Sequence, residues 1–327
     1  MSQLLEIRNL KKYFSTKQGL LHAVENVSFS VEKGTTLGVV GESGCGKSTL
    51  GRAIIGLSDV TEGQIFYKDE DITHVGRRER KQLRRQMQII FQDPYASLNP
   101  RMSVSEIIAE PLKIYQLCES RQQLQTRVAE LMDQVGLDQR FAWSYPHELD
   151  GGRRQRIGIA RALALDPEFI VCDEPVSALD VSVQAQILNL LQDLQESLGL
   201  TYLFITHDLS VVKHISTDIM VMYLGCLVEK CSADELFERQ YHPYTVGLLS
   251  AIPEPVIRRG KTDRILLSGE ITSPIEPADQ CRFAPRCRFC TEQCLRAMPS
   301  LQELTPGHFV ACHRAQELKD RMKAEVE

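Results

Sequence analysis

The sequence predicts an α/β protein whose core is a parallel sheet with crossover helices, followed by a small cysteine-rich C-terminal extension. Two observations predict the core. Short apolar runs that read as strands, Leu37 to Val40, Phe169 to Cys172 and Tyr202 to Ile205, alternate with helical stretches, and such alternation means parallel strands joined by crossovers. The Gly41–Thr49 loop, Gln92, Asp173-Glu174 and His207 all fall at predicted strand ends, the carboxyl edge where such sheets bind ligands. A third observation predicts the extension. Of ten cysteines, Cys281, Cys287, Cys290, Cys294 and Cys312 crowd into one stretch, beyond a proline-marked linker that begins at Pro253. We therefore expect a first domain at residues 1–252, with a helical subdomain at about 98–160, and an extension at residues 253–327.

In chain order, residues 4–36 are β-rich, because Leu5 to Arg8 and Val27 to Val31 alternate. A polar loop is expected from Lys12 through Gly19, then a turn at Thr61-Glu62-Gly63 and a strand from Gln64 to Tyr67. Residues 77–88 are basic and helical, and Ile89-Ile90-Phe91 is a buried strand ending at Gln92. From Val104 to about Leu137 the apolar positions Ile107, Ile108, Leu112, Val128, Leu131, Met132 and Val135 keep helical period. Helices from Gln155 to Leu165 and from Val183 to Leu198 flank the Phe169 strand.

Composition narrows the function. The net charge of −5 argues against a general nucleic-acid binder. The basic run Arg77 to Arg85 lacks interleaved aromatics and reads as a solvated helix face, so no nucleic-acid partner is expected. The most apolar stretch, bracketed by Asp218 and Glu229, is shorter than the roughly 18 residues a membrane helix needs. No secretory core follows Met1, so a cytosolic chain with reduced or metal-bound thiols is expected.

The chemistry centres on Gly41-Glu42-Ser43-Gly44-Cys45-Gly46-Lys47-Ser48-Thr49, between an apolar strand and a helix. This is the P-loop pattern. Its glycines let backbone N–H groups curl around phosphate oxygens, and the helix N-terminus adds partial positive charge. In the pattern, Lys47 reaches the β- and γ-phosphates and the Ser48 hydroxyl takes Mg²⁺. The site is one for a nucleoside triphosphate.

With these motifs in this order, the chain resembles the ATP-binding subunits of oligopeptide and dipeptide ABC importers, a family that also serves nickel and related solutes. Phe91-Gln92-Asp93-Pro94-Tyr95-Ala96-Ser97-Leu98-Asn99-Pro100 and Asp173-Glu174-Pro175-Val176-Ser177-Ala178-Leu179-Asp180 carry the likeness most specifically. The resemblance implies an ABC-type nucleotide-binding domain: a RecA-like parallel core, an antiparallel β subdomain and a helical subdomain. It implies that Asp173 holds Mg²⁺ through water, Glu174 polarises the attacking water and His207 contacts the γ-phosphate. Gln92 senses Mg²⁺ and water on a loop facing membrane subunits, Tyr13 stacks on adenine, and Ser177-Ala178-Leu179-Asp180 crosses a dimer interface. ATP and Mg²⁺ are the implied ligands. The implied partners are a homologous ATP-binding subunit, two membrane permease subunits and, indirectly, an extracytoplasmic solute-binding protein, with the chain on the cytoplasmic face of the cell membrane. The rival class is a soluble ABC ATPase acting on nucleic acid or ribosomes; a single cassette and the Gln92 segment argue against it.

One departure stands out. The family signature Leu-Ser-Gly-Gly-Gln is here Leu149-Asp150-Gly151-Gly152-Arg153. An ionised Asp150 cannot donate to a partner's γ-phosphate, and its charge repels a triphosphate unless Arg153 or Arg154 compensates it. An asymmetric pair of composite sites is the expectation.

In the extension, thiols this dense in a cytosolic chain suggest a metal, with tetrahedral zinc or an iron–sulfur cluster both open on donor type. The resemblance adds that related importers carry a Cys-x5-Cys-x6-Cys-x17-Cys pattern associated with a [4Fe–4S] cluster. Cys281, Cys287, Cys294 and Cys312 match it, leaving Cys290 as an extra thiol.

Overall fold

The computed structural model describes residues 2–252, 267, 269 and 273–324. They divide into two compact units, each built from separate stretches of chain. The expected linker around Pro253 and Pro255 lies outside the described residues.

One unit holds residues 2–31, 36–74 and those from 206 onward. Its first layer is a four-stranded sheet in the order Gly19–Glu32, Gln3–Thr16, Glu62–Tyr67, Glu70–Asp71. Leu5 faces Tyr67 and Ile7 faces Ile65 across the antiparallel ladder, and Leu5, Ile7 and Leu10 are buried as the alternation requires. The Gln3–Thr16 strand runs through Lys12-Tyr13-Phe14, where a loop was expected, and only Lys17 and Gln18 turn. Polar pairing carries it on: Lys11 bonds Glu62 at 2.8 Å, and the Tyr13 N–H donates to Thr61 Oγ1 at 2.9 Å. Hydrophobic period does not register such pairs.

In the same unit Thr36–Val40, buried at all five residues, pairs in parallel with Asp218–Tyr223. That strand turns back antiparallel as Cys226–Ser232, and His308–Val310 and Gln302–Thr305 add two further strands. The apolar stretch bracketed by Asp218 and Glu229 is thus a hairpin. Among the described residues no helix is long and apolar enough to cross a membrane.

The other unit holds residues 32–35 and 75–205. Met87–Ile90, Phe169–Asp173 and Thr201–Ile205 run parallel, with Met87 level with Phe169 and Phe169 level with Thr201. Arg77–Gln86 is a helix with no buried residue, in keeping with a solvated basic face. Val104–Ile114 starts at a capping box, in which Ser103 and Glu106 satisfy each other's backbone N–H groups. That helix and Arg121–Gln134 bury Ile107, Ile108, Leu112, Val128, Leu131 and Met132, the positions read from periodicity. The next helix begins at Gly151 rather than at Gln155. Two glycines disfavour a helix start by propensity. Here a Cβ on Gly152 would come within 2.7 Å of Val183, so close packing takes the glycine and the helix forms.

Candidate nucleotide site and cysteine module

The Thr36–Val40 strand delivers Gly41 into the loop, which closes into the helix Lys47–Ile54. Two glycines are demanded by geometry. Gly41 has φ 153° and Gly46 φ 103°, and a Cβ on them would lie 2.2 Å from the Met222 carbonyl oxygen and 2.0 Å from that of Ala23. Gly46 begins the helix without a side-chain cap. Lys47 is 4% exposed, and its Nζ donates to the carbonyl oxygens of Gly41 at 2.8 Å and Glu42 at 3.0 Å. Ser43 and Gly44 are exposed, while Ser48 and Thr49 are half-buried in the first helical turn. Burial pushes the Cys45 thiol pKa up, so its sulfur serves packing and not reactivity.

Tyr13 stands on the same unit, one ring face stacked on His22 at 4.0 Å between centroids. Its hydroxyl donates to Glu25 at 2.9 Å, and the Arg282 guanidinium reaches the same carboxylate at 3.4 Å. Arg286 holds Glu42 through two parallel bonds, 2.8 Å and 3.0 Å, and also donates to the Tyr223 hydroxyl at 3.3 Å. No local signal announces these pairs, because Arg286 and Glu42 lie 244 residues apart and Arg282 and Glu25 lie 257 apart. His207 follows the Thr201–Ile205 strand as an exposed residue. It belongs to the unit that carries the P-loop.

In the other unit, Asp173 closes the Phe169–Asp173 strand with no exposed surface. Glu174 takes a left-handed conformation, φ 46°, its N–H held by the Ile205 carbonyl at 2.9 Å. Such strain in a non-glycine residue costs on the order of 1 kcal/mol or more, and it turns the side chain toward Gln92, whose Nε2 donates to Glu174 Oε2 at 2.8 Å. These two predicted residues are therefore in direct contact. Ser177 Oγ donates to the Glu174 carbonyl at 3.1 Å, Ala178 is exposed, and a Cβ on Gly151 would meet Leu179 at 3.0 Å. Asp180 caps the helix Val181–Leu198 by accepting the Val183 N–H at 3.0 Å.

Leu149 is buried and Asp150 exposed. The Asp150 carboxylate caps the helix Gly151–Leu163, accepting the Arg153 N–H at 2.8 Å, and pairs with the Arg153 guanidinium. Arg154, the other expected source of compensation, points elsewhere. It is buried over the Tyr95 ring at 3.6 Å, with its Nε donating to the Pro146 carbonyl.

Cys287 is the C-cap of the turn Ala284–Arg286 and Cys294 lies within Glu292–Arg296, whereas Cys312 packs against Tyr241, Val310 and Ala315. The Cys281 N–H donates to the Cys294 carbonyl at 2.9 Å. Burial, followed by the fields of Cys294, Cys312 and Cys287, pushes the Cys281 thiol pKa up to about 12. Burial likewise lifts Cys312 to about 11, with Cys287 and Cys294 adding to it, and it raises Cys287. Burial is the largest cause of each of these three shifts. Among the described residues, no three side chains of His, Cys, Asp or Glu stand in an arrangement that holds a metal ion.

A strand, a glycine loop and an uncapped helix start make a P-loop nucleotide site, and matches to known proteins make the chain an ATPase of the ATP-binding cassette class. The ABC transporter family model matches residues 24–177, and the model of the oligopeptide/dipeptide transporter C-terminal region matches residues 228–294. The chain belongs to the oligopeptide-transport ATP-binding proteins of ABC transporters, as the sequence motifs led us to expect. It is 51% identical to the oligopeptide transport ATP-binding protein AppF of Bacillus subtilis (strain 168), over 95% of this chain and 97% of that one. It is equally 51% identical to OppF of the same organism, over 96% and 97%. Among solved structures it resembles the ATP-binding cassette MJ0796, a dimer in a post-hydrolysis state bound to ADP and Pi, with TM-score 0.65 and 29% identity over 70% of this chain and 99% of that one.

Proposed function

We propose that this chain is the ATP-hydrolysing subunit of a membrane importer that takes up di- and oligopeptides. The observation that carries the reading is the match to oligopeptide transport proteins along nearly the whole length of both chains, cassette and C-terminal region alike. We assign residues 1–252 to the ATP-binding domain, with its helical subdomain at about 98–160, and residues 253–327 to the extension.

In this reading Lys47 leaves the Gly41 and Glu42 carbonyls for the β- and γ-phosphates, while the loop N–H groups and the helix start take the remaining phosphate oxygens. Ser48, Gln92 and Asp173 would hold Mg²⁺, and a carboxylate with no exposed surface has the chemistry a divalent cation suits. An ion held by those residues would supply positive charge beside the phosphate oxygens. Glu174, steadied by Gln92, orients the attacking water, and His207 contacts the γ-phosphate. Tyr13 stacks on the base with the face opposite His22.

The machine pairs this chain with a homologous ATP-binding subunit beneath two permease subunits, on the cytoplasmic face of the membrane, fed by a solute-binding protein. ATP closes the pair and hydrolysis reopens it. Arg153 compensates the Asp150 charge, but a carboxylate in the signature position still offers the partner's triphosphate no hydroxyl donor. The composite site served by this chain's signature is therefore the weaker of the two, and the site built on Lys47 and Glu174 is the stronger.

Cys281, Cys287, Cys294 and Cys312 would hold a [4Fe–4S] cluster, with zinc as the alternative, on the strength of their spacing and donor type. The side chains as they stand among the described residues are not arranged around a metal, so the thiols would have to draw together on binding it. Anaerobically purified protein should show the broad visible absorbance of thiolate-bound iron, and colourless protein carrying stoichiometric zinc would remove the cluster. The function itself is tested by reconstituting the chain with its membrane subunits in vesicles. ATP-dependent uptake of labelled peptide is expected. Uptake of nickel without peptide, or recovery of RNA or DNA in place of membrane proteins, would reject the reading.

A further inference from the structure

The five residues between Cys281 and Cys287 contain two arginines, and both reach toward the nucleotide residues. Arg286 ends the turn Ala284–Arg286 with its side chain only 6% exposed, and it grips the Glu42 carboxylate bidentately. Every polar group of Glu42 named above is thereby engaged. Its carboxylate is held by Arg286, its N–H donates to the Tyr244 hydroxyl at 2.9 Å, and its carbonyl accepts from Lys47. Arg282, 8% exposed, reaches Glu25, and Glu25 accepts the Tyr13 hydroxyl and contacts His22. Phe283, between the two arginines, packs edge-on against Tyr223 at 5.2 Å and fixes the segment in the core.

We propose that Arg282 and Arg286 are positioning residues for the nucleotide: Arg286 sets the phosphate loop through Glu42, and Arg282 sets the base-stacking Tyr13 through Glu25. The cysteine module then governs affinity for ATP, which deepens the proposed function and rests on it. A bidentate arginine–carboxylate pair has one low-energy geometry, so it fixes the backbone of Glu42, and with it the carbonyls that share Lys47. The contact at Glu25 is single and longer, and its influence is correspondingly smaller.

The test measures binding of Mg·ATP and of base-free Mg·tripolyphosphate to the full chain. Arg286→Gln is expected to weaken both ligands about tenfold, the effect of one lost charge-assisted interaction. Arg282→Gln should weaken ATP a few-fold and leave tripolyphosphate within about twofold, because only ATP carries a base to stack. Adding Glu42→Gln to Arg286→Gln should cost nothing further, since the pair acts as a unit. Wild-type affinity for both ligands in both variants, or equal losses that merely follow a lowered Tm, would overturn the coupling. Lys47→Ala serves as the control. If it too binds ATP as wild type does, the nucleotide site itself is misassigned and both proposals fall.

Discussion

Two helix starts in this molecule treat negative charge in opposite ways. At Lys47–Ile54 the first residue is preceded by Gly46, which has no side chain to offer, and the first turn contains no acid. At Gly151–Leu163 the preceding residue is Asp150, whose carboxylate accepts the Arg153 N–H and pairs with its guanidinium. Both helix N-termini carry the same partial positive charge and orphan donors. The first offers its donors no capping side chain, whereas the second gives one of them, the Arg153 N–H, to a carboxylate of its own. Of these two starts, the one without a capping side chain is the one inside the P-loop.

A third start sharpens the contrast. The helix Pro243–Ser250 is capped by His242, whose Nδ1 accepts the Tyr244 N–H at 3.1 Å. That cap works only while the imidazole is neutral. Burial pushes its pKa down to about 4, against the opposing pull of Glu229. The folded value lies below the unfolded one, so the unfolded state takes up the proton first as pH falls through the usual histidine range, and stability declines from there to about pH 4. His308 acts in the opposite sense. Burial works against its charged form, but Glu229 at 2.8 Å and Glu235 outweigh this and raise its pKa, giving stability that is lost as pH rises. The difference between variants isolates the cap. His242→Asn keeps an acceptor and removes the titration, so at pH 5 it should recover about 2 kcal/mol relative to wild type, compared with the same pair at pH 8. Denaturant midpoints at the two pH values check this, and identical differences would refute it.

The Asp150 pair tests the second helix start more gently. Asp150→Ala removes a cap and should lower stability by about 1 kcal/mol. Asp150→Ser keeps the cap and supplies a hydroxyl donor, so if the proposed partner's triphosphate is bound here, turnover of the assembled complex should rise by a few-fold. Unchanged turnover in that variant would show that Asp150 does not weaken the partner's site.

The sequence made the parts that depend on local spacing legible. Gly41 and Gly46 are dictated by backbone approaches of about 2 Å, which no other residue tolerates, so the loop declares itself. The apolar strands and the Val104 and Arg121 helices followed from period alone. The helix start at Gly151 escaped because propensity counts two glycines as a penalty, while packing against Val183 requires one of them. The strand through Lys12-Tyr13-Phe14 escaped because polar pairs across the ladder hold it. The Arg282 and Arg286 contacts had no sequence signature, since each joins residues more than 240 positions apart.

The central claim, that Lys47 binds the triphosphate which Glu174 helps water to cleave, is tested most directly by measuring ATP binding and turnover in Glu174→Gln beside Lys47→Ala. Glu174→Gln should retain nucleotide while losing turnover by about 100-fold or more, and Lys47→Ala should lose both. Turnover within a few-fold of wild type in either variant would contradict it.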